Sequence, residues 1–72
     1  MNKEQIKKIA ESKGWTDLGP QKMKVLMSFR KNDIRMNVYT TTGTVQFQNL
    51  QIMRSSSAVY YNVTLEQFET LC

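Results

Sequence analysis

The chain has no histidine and a single cysteine, Cys72, among its 72 residues. Imidazole chemistry is thereby excluded, and zinc sites of the cysteine–histidine kind and an internal disulfide framework are excluded or close to it. No apolar run is longer than the four residues Ala58-Val-Tyr-Tyr61, so no segment reads as a membrane-spanning helix. The first eight residues, Met1-Asn-Lys-Glu-Gln-Ile-Lys-Lys8, carry charge but no apolar stretch of the kind an export signal needs. Internal repeats and low-complexity segments are also absent. A lone cysteine without an export signal suits a reducing compartment, and a cytoplasmic location is expected. Packing of Cys72 against the end of a helix is favoured over a reactive or chain-linking thiol.

Catalysis lacks its usual parts as well. The six carboxylates are scattered as Glu4, Glu11, Asp17, Asp33, Glu66 and Glu69. No nucleophile–base pair and no glycine-rich phosphate loop can be composed from the residues present. A chain this short also walls off a sizeable pocket with difficulty. The expectation is a non-enzymatic module that needs no cofactor and no metal.

What is present describes a small globular domain. Apolar residues make up 40% and charged residues 22%, a balance that suits one folded unit over residues 1–72. A domain of this size buries only about 60% of its unfolded surface, so association with a second copy is a natural source of added stability. The net charge is +4. Residues 1–35 hold nine basic and four acidic side chains, and residues 36–72 hold one basic and two acidic. A basic half suits an acidic partner, although +4 also serves solubility alone.

The periodicity changes along the chain. Asn2 and Gln5 stand in capping-box relation, and Ile6, Ile9 and Ala10 fall on one helical face. With Gly14 as a C′ residue, a helix is expected over 3–13, with Trp15 folding back over the end of the core. Thr16 to Pro20 reads as a connector. From Lys22 the period is two. Met23, Val25, Met27 and Phe29 alternate with Lys22, Lys24, Leu26, Ser28 and Arg30 in a first strand. Lys31-Asn32-Asp33 is turn chemistry. Ile34, Met36 and Val38 alternate with Arg35, Asn37 and Tyr39 in a second strand. Thr42-Gly43 turns into a third strand, with Val45 and Phe47 against Thr44, Gln46 and Gln48. Asn49 is read as a bulge or a turn, Ser55–Ser57 as a loop, and Ala58–Val63 as a fourth strand. Thr64 and Gln67 form a second capping box before a helix over 65–71. Asn62-Val-Thr64 matches a glycosylation acceptor, but the capping role of Thr64 has the better mechanism. The expected fold is α+β, in the order α-β-β-β-β-α. It is a two-layer fold with an antiparallel meander sheet and both helices packed on one face.

That architecture leaves the other sheet face open. Met23, Met27 and Met36 fall on the core side by phase. Lys22, Lys24, Arg30 and Arg35 fall outside, with Asn37, Tyr39 and Gln46 among them and no acidic residue. Lysine and arginine neutralise phosphates, tyrosine stacks a base, and asparagine or glutamine bonds base edges. Sheets that bind RNA present two or three aromatics, so Tyr60 or Tyr61 is the candidate for a second. The leading expectation is nucleic acid, single-stranded in preference. The alternatives are an acidic patch on a protein partner and a self-associating subunit, with a homodimer compatible with each.

Overall fold

The computed structural model describes residues 1–51 and 57–72. The element order is α1 (Lys3–Ser12), β1 (Thr16–Asp17), β2 (Leu26–Lys31), β3 (Ile34–Tyr39), β4 (Thr44–Asn49), β5 (Ser57–Tyr60) and α2 (Leu65–Leu71). The strands form one antiparallel meander sheet in the order β1-β2-β3-β4-β5. No helix among the described residues is long and apolar enough to cross a membrane.

α1 forms where its caps dictate. Asn2 Oδ1 accepts from the Glu4 and Gln5 amides at 2.9 and 3.2 Å, which satisfies donors that no helical carbonyl reaches. Ile6 and Ala10 are fully buried on its inner face. Lys13 ends the helix as its C-cap and Gly14 turns the chain out at φ +90°. A third device holds that end: the Lys31 ammonium donates to the Lys13 carbonyl at 2.7 Å and sits 5.8 Å above the Trp15 ring. A cation at a helix C-terminus is favourably placed for the dipole and for the orphan carbonyls. Trp15 is buried as expected, 6.0 Å from the Phe47 ring.

α2 is fixed by the reciprocal bonds of Thr64 and Gln67. The Thr64 amide donates to Gln67 Oε1 at 3.0 Å, and the Gln67 amide donates to Thr64 Oγ1 at 3.2 Å. Phe68 then enters the core. Ile6, Ala10 and Phe68 pack with Phe29, Met36, Val38 and Val45, so both helices lie on the same sheet face. Cys72 is half-buried, with its sulfur 4.0 Å from that of Met36. Burial pushes its thiol pKa up to about 11, and nearby Lys13 and Lys31 offset part of the rise.

The sheet departs from the sequence reading in four places. It has five strands, because Thr16 and Asp17 pair with Arg30 and Phe29 instead of remaining in the connector. Burying Trp15 brings the chain alongside β2, and the ladder continues where the Leu18 amide donates to the Ser28 carbonyl at 2.9 Å. Next, β2 starts at Leu26 and not at Lys22. Its partner β3 ends at Tyr39 opposite Leu26. Beyond that point the Thr40 amide holds the Val25 carbonyl, and Leu26 closes a turn onto the Met23 carbonyl. Lys22, Met23 and Lys24 therefore belong to the connector. Met23 is 52% exposed and is not a core residue. Third, β4 continues through Asn49, which pairs with Ile34, so the break in phase comes at Leu50. Last, the final strand spans Ser57–Tyr60. Asn62 takes φ +53°, and Val63 is buried with its amide on the Gly43 carbonyl at 2.9 Å. Ser55 and Ser56, expected in a loop, lie outside the described residues.

Candidate nucleic-acid interface

Opposed residues in an antiparallel ladder share a face, so the register assembles the outer surface row by row. The first row is Thr16–Arg30–Arg35–Gln48–Ser57. The second is Ser28–Asn37–Gln46–Val59, and the third is Leu26–Tyr39–Thr44. None of these residues is acidic. Asp17 falls opposite Phe29, on the helix side, where it meets Lys7 at 3.9 Å.

The rows place five of the seven sequence-derived candidates together: Arg30, Arg35, Asn37, Tyr39 and Gln46. Lys22 and Lys24 do not join them. Both are exposed in the connector, and the Lys24 carbonyl accepts from the Lys3 ammonium. Of the two candidates for a second aromatic, Tyr60 is not on this face. Tyr60 pairs with Val45 and so points to the helix side, edge-on to Phe47 at 6.1 Å. Tyr61 follows the strand and is 72% exposed.

A feature that alternation alone does not show is how closed the centre of this face is. Ser28 is fully buried and Asn37 is 7% exposed although both point away from the helices. Ser28 Oγ donates to Asn37 Oδ1 at 2.7 Å, and Arg35 Nε donates to the same oxygen at 3.2 Å. Asn37 Nδ2 reaches Gln46 Oε1 at 3.4 Å and Gln48 Oε1 at 3.2 Å. Arg35 Nη2 reaches Ser28 Oγ and Gln21 Oε1, each at 3.3 Å. The connector thus lays Gln21 over the sheet, and a polar ladder runs from Gln21 to Gln48. Asn37 uses its oxygen and its amino group within the ladder. It holds the arginine and the glutamines in place instead of offering an edge of its own. Gln48, absent from the sequence candidates, enters the site through that ladder. Its position in phase with Gln46 was the signal available.

The charge arrangement is the second finding. Arg30 and Arg35 are directly opposite across β2 and β3. The bonding pattern places them in the closer, non-hydrogen-bonded kind of pair. The Thr40 amide bonds the Val25 carbonyl in the same register, and bonded pairs alternate from there. Like charges so placed repel, and no carboxylate on the face compensates. Arg30 uses one donor, Nε, on the Asn32 carbonyl at 3.1 Å. A guanidinium has five N–H donors, so most of those on Arg30 and some on Arg35 have no protein partner among the described residues.

Compared with known protein families, with curated proteins and with solved structures, the chain matches none.

Proposed function

We propose that this chain is a non-enzymatic module that binds single-stranded nucleic acid on the outer face of its sheet. The observation that carries the reading is the opposed pair Arg30 and Arg35 on a face without a carboxylate. Two arginines carried by one cross-strand row concentrate positive charge that an anion lying on the row relieves, and phosphate accepts from guanidinium forks in bidentate fashion. Binding then converts an unfavourable pair into a favourable triplet and releases counterions.

The rest of the face supports the same ligand. Tyr39 is four residues along β3 from Arg35, about 13 Å at the rise of an extended strand. It is half-buried between Leu26 and Thr44, with ring surface left for stacking. Gln48 lies in the charged row and Gln46 in the row between it and the tyrosine, each tied by its oxygen, which leaves their amino groups to donate to base carbonyls. The shallow, flat shape suits unstacked bases better than a duplex. Lys22 and Lys24, exposed on the connector, add positive charge beside the face.

The test is fluorescence anisotropy of labelled single-stranded DNA and RNA oligonucleotides across a salt series. Two or three phosphate contacts give a log–log salt slope near −1.4 to −2. Tyr39→Ala should weaken binding by about 1–3 kcal/mol without changing that slope. No binding at low ionic strength overturns the reading and shifts the arginine pair to an acidic protein partner.

A further inference from the structure

Among the described residues the far edge of the sheet, the four-residue β5, carries neither charge nor proline. β5 is the terminal strand, and among the described residues nothing pairs with its outer side. All four of its residues are exposed. Edge strands are ordinarily protected by charge, proline or a bulge. From Ser55 to Leu65 the sequence has neither a charged residue nor a proline.

Backbone parity shows what that edge offers. The Leu50 amide donates to the Asp33 carbonyl at 2.8 Å, in register with Ile34 opposite Asn49. Bonding directions alternate along an antiparallel strand, so Thr44, Gln46 and Gln48 bond toward β3, and Val45 and Phe47 bond toward β5. The latter two meet Tyr60 and Ala58. Ser57 and Val59 are left with their N–H and C=O groups directed out of the sheet.

We propose that β5 pairs with β5 of a second copy, antiparallel, about a twofold axis at Val59. In that register each Val59 exchanges both backbone bonds with its counterpart. On the helix side, each Ala58 lies opposite the other copy's Tyr60, so a small residue meets a large one twice. An isologous contact requires such self-complementarity. Beside the edge, a groove of about 610 Å³ runs between β5 and α2, lined by Val59, Tyr60, Tyr61, Val63, Gln67 and Leu71 among others. None of these is charged. Two copies at +4 repel over most of their surfaces, and this neutral edge is where they approach at least cost. Tyr60 and Tyr61 are 43% and 72% exposed. At about 200 Å² per tyrosine they leave roughly 230 Å² to cover, against about 800 Å² per partner in a standard interface. The dimer is therefore concentration-dependent. An axis perpendicular to the sheet keeps both outer faces on one side, which would place two arginine pairs on one surface; this last consequence rests on the proposed function.

The experiment is sedimentation equilibrium in moderate salt, without nucleic acid, from about 10 μM to about 1 mM. The apparent mass should rise from 8.4 kDa toward twice that value. Val59→Pro removes an N–H that the protein's own ladder does not use, and should weaken association at least about tenfold with an unchanged circular dichroism spectrum. Val59→Lys should do the same through charge, and serves if the proline variant fails to fold. In the wild type, hydrogen exchange at the Val59 amide should slow as concentration rises, while the Ala58 and Tyr60 amides stay protected throughout. A mass constant at 8.4 kDa, or a dimer that survives Val59→Lys, overturns the proposal. Neither result bears on nucleic-acid binding, so the two readings fail separately.

Discussion

Replacing Arg30 separates binding from folding, because the two should change in opposite directions. Arg30 is exposed and makes one hydrogen bond, to the Asn32 carbonyl in the adjoining turn. Its opposite neighbour is Arg35, which has three partners in the polar ladder. Arg30→Gln thus removes a repulsion without disturbing the ladder. Cross-strand pairs of this kind are worth about 0.2–1 kcal/mol, and the lost bond to Asn32 offsets part of the relief. The net expectation is a stability gain of about 0.3 kcal/mol, largest at low salt and vanishing as the charges are screened. Urea denaturation followed by Trp15 fluorescence reads it, since Trp15 is buried in the core on the opposite side of the sheet.

Binding should move the other way. One phosphate contact fewer lowers the magnitude of the salt slope by about 0.7 for a single strand. Between 50 and 200 mM salt that slope difference alone changes the ratio of affinities by about 2.5-fold. Loss of affinity together with unchanged or improved stability is a signature that a structural role for Arg30 cannot produce. If Arg30→Gln costs more than about 1 kcal/mol of stability, or leaves the salt slope where it was, the argument from the opposed pair is wrong.

Three further outcomes follow from the packing. Gly43→Ala should destabilise by about 2–3 kcal/mol, near 10 °C or more in Tm for a chain this small; Gly43 stands at φ +68°, and a Cβ there meets the Val63 carbonyl oxygen at 3.0 Å. Asn37→Ala should cost about 2 kcal/mol by stranding the buried Ser28 hydroxyl, while Ser28→Ala with Asn37→Leu together should cost less than the single change, as thermal denaturation of the three variants would show. Cys72, with its thiol pKa raised from 9.0 to about 11, should be alkylated at pH 8 about 100-fold more slowly than in the unfolded chain. The neutral thiol is the form favoured in the folded state, so its contribution to stability is complete below pH 9 and is lost as pH rises toward 11. Denaturation midpoints for wild type and Cys72→Ser should diverge below pH 9 and converge above it.

Phase was legible because it is local. Ile34, Met36 and Val38 against Arg35, Asn37 and Tyr39 fix which side chains look outward whatever the partner strands are. The caps at Asn2, Thr64 and Gln67 were legible for the same reason, since each bond spans three residues or fewer. Strand ends were not. The alternation of Met23 and Val25 continues that of Met27 and Phe29, yet pairing stops at Leu26 because β3 stops at Tyr39. That limit is set by a turn some fifteen residues away, where Thr40 takes the Val25 carbonyl. Two of the basic candidates, Lys22 and Lys24, left the sheet with it. The two-residue strand β1 has no periodicity to read, and exists because Trp15 is buried.

The closed centre of the outer face was illegible for a different reason. Alternation assigns Ser28 and Asn37 to solvent, and polar residues there look ordinary. Their burial comes from what lies over them: an arginine folded along the strand and a glutamine from the connector. Once Arg35 is held at Ser28, Asn37 and Gln21, its guanidinium keeps one place on the face, while Arg30 is tied at the Asn32 carbonyl. Rigidity and charge therefore act together. A flexible arginine gives up rotamer freedom when it binds an anion, whereas one already held gives up less. On this argument Gln21→Ala, which frees one side of Arg35 but removes no charge, should weaken nucleic-acid binding while leaving the salt slope unchanged. A lower slope in that variant would mean that the connector itself touches phosphate.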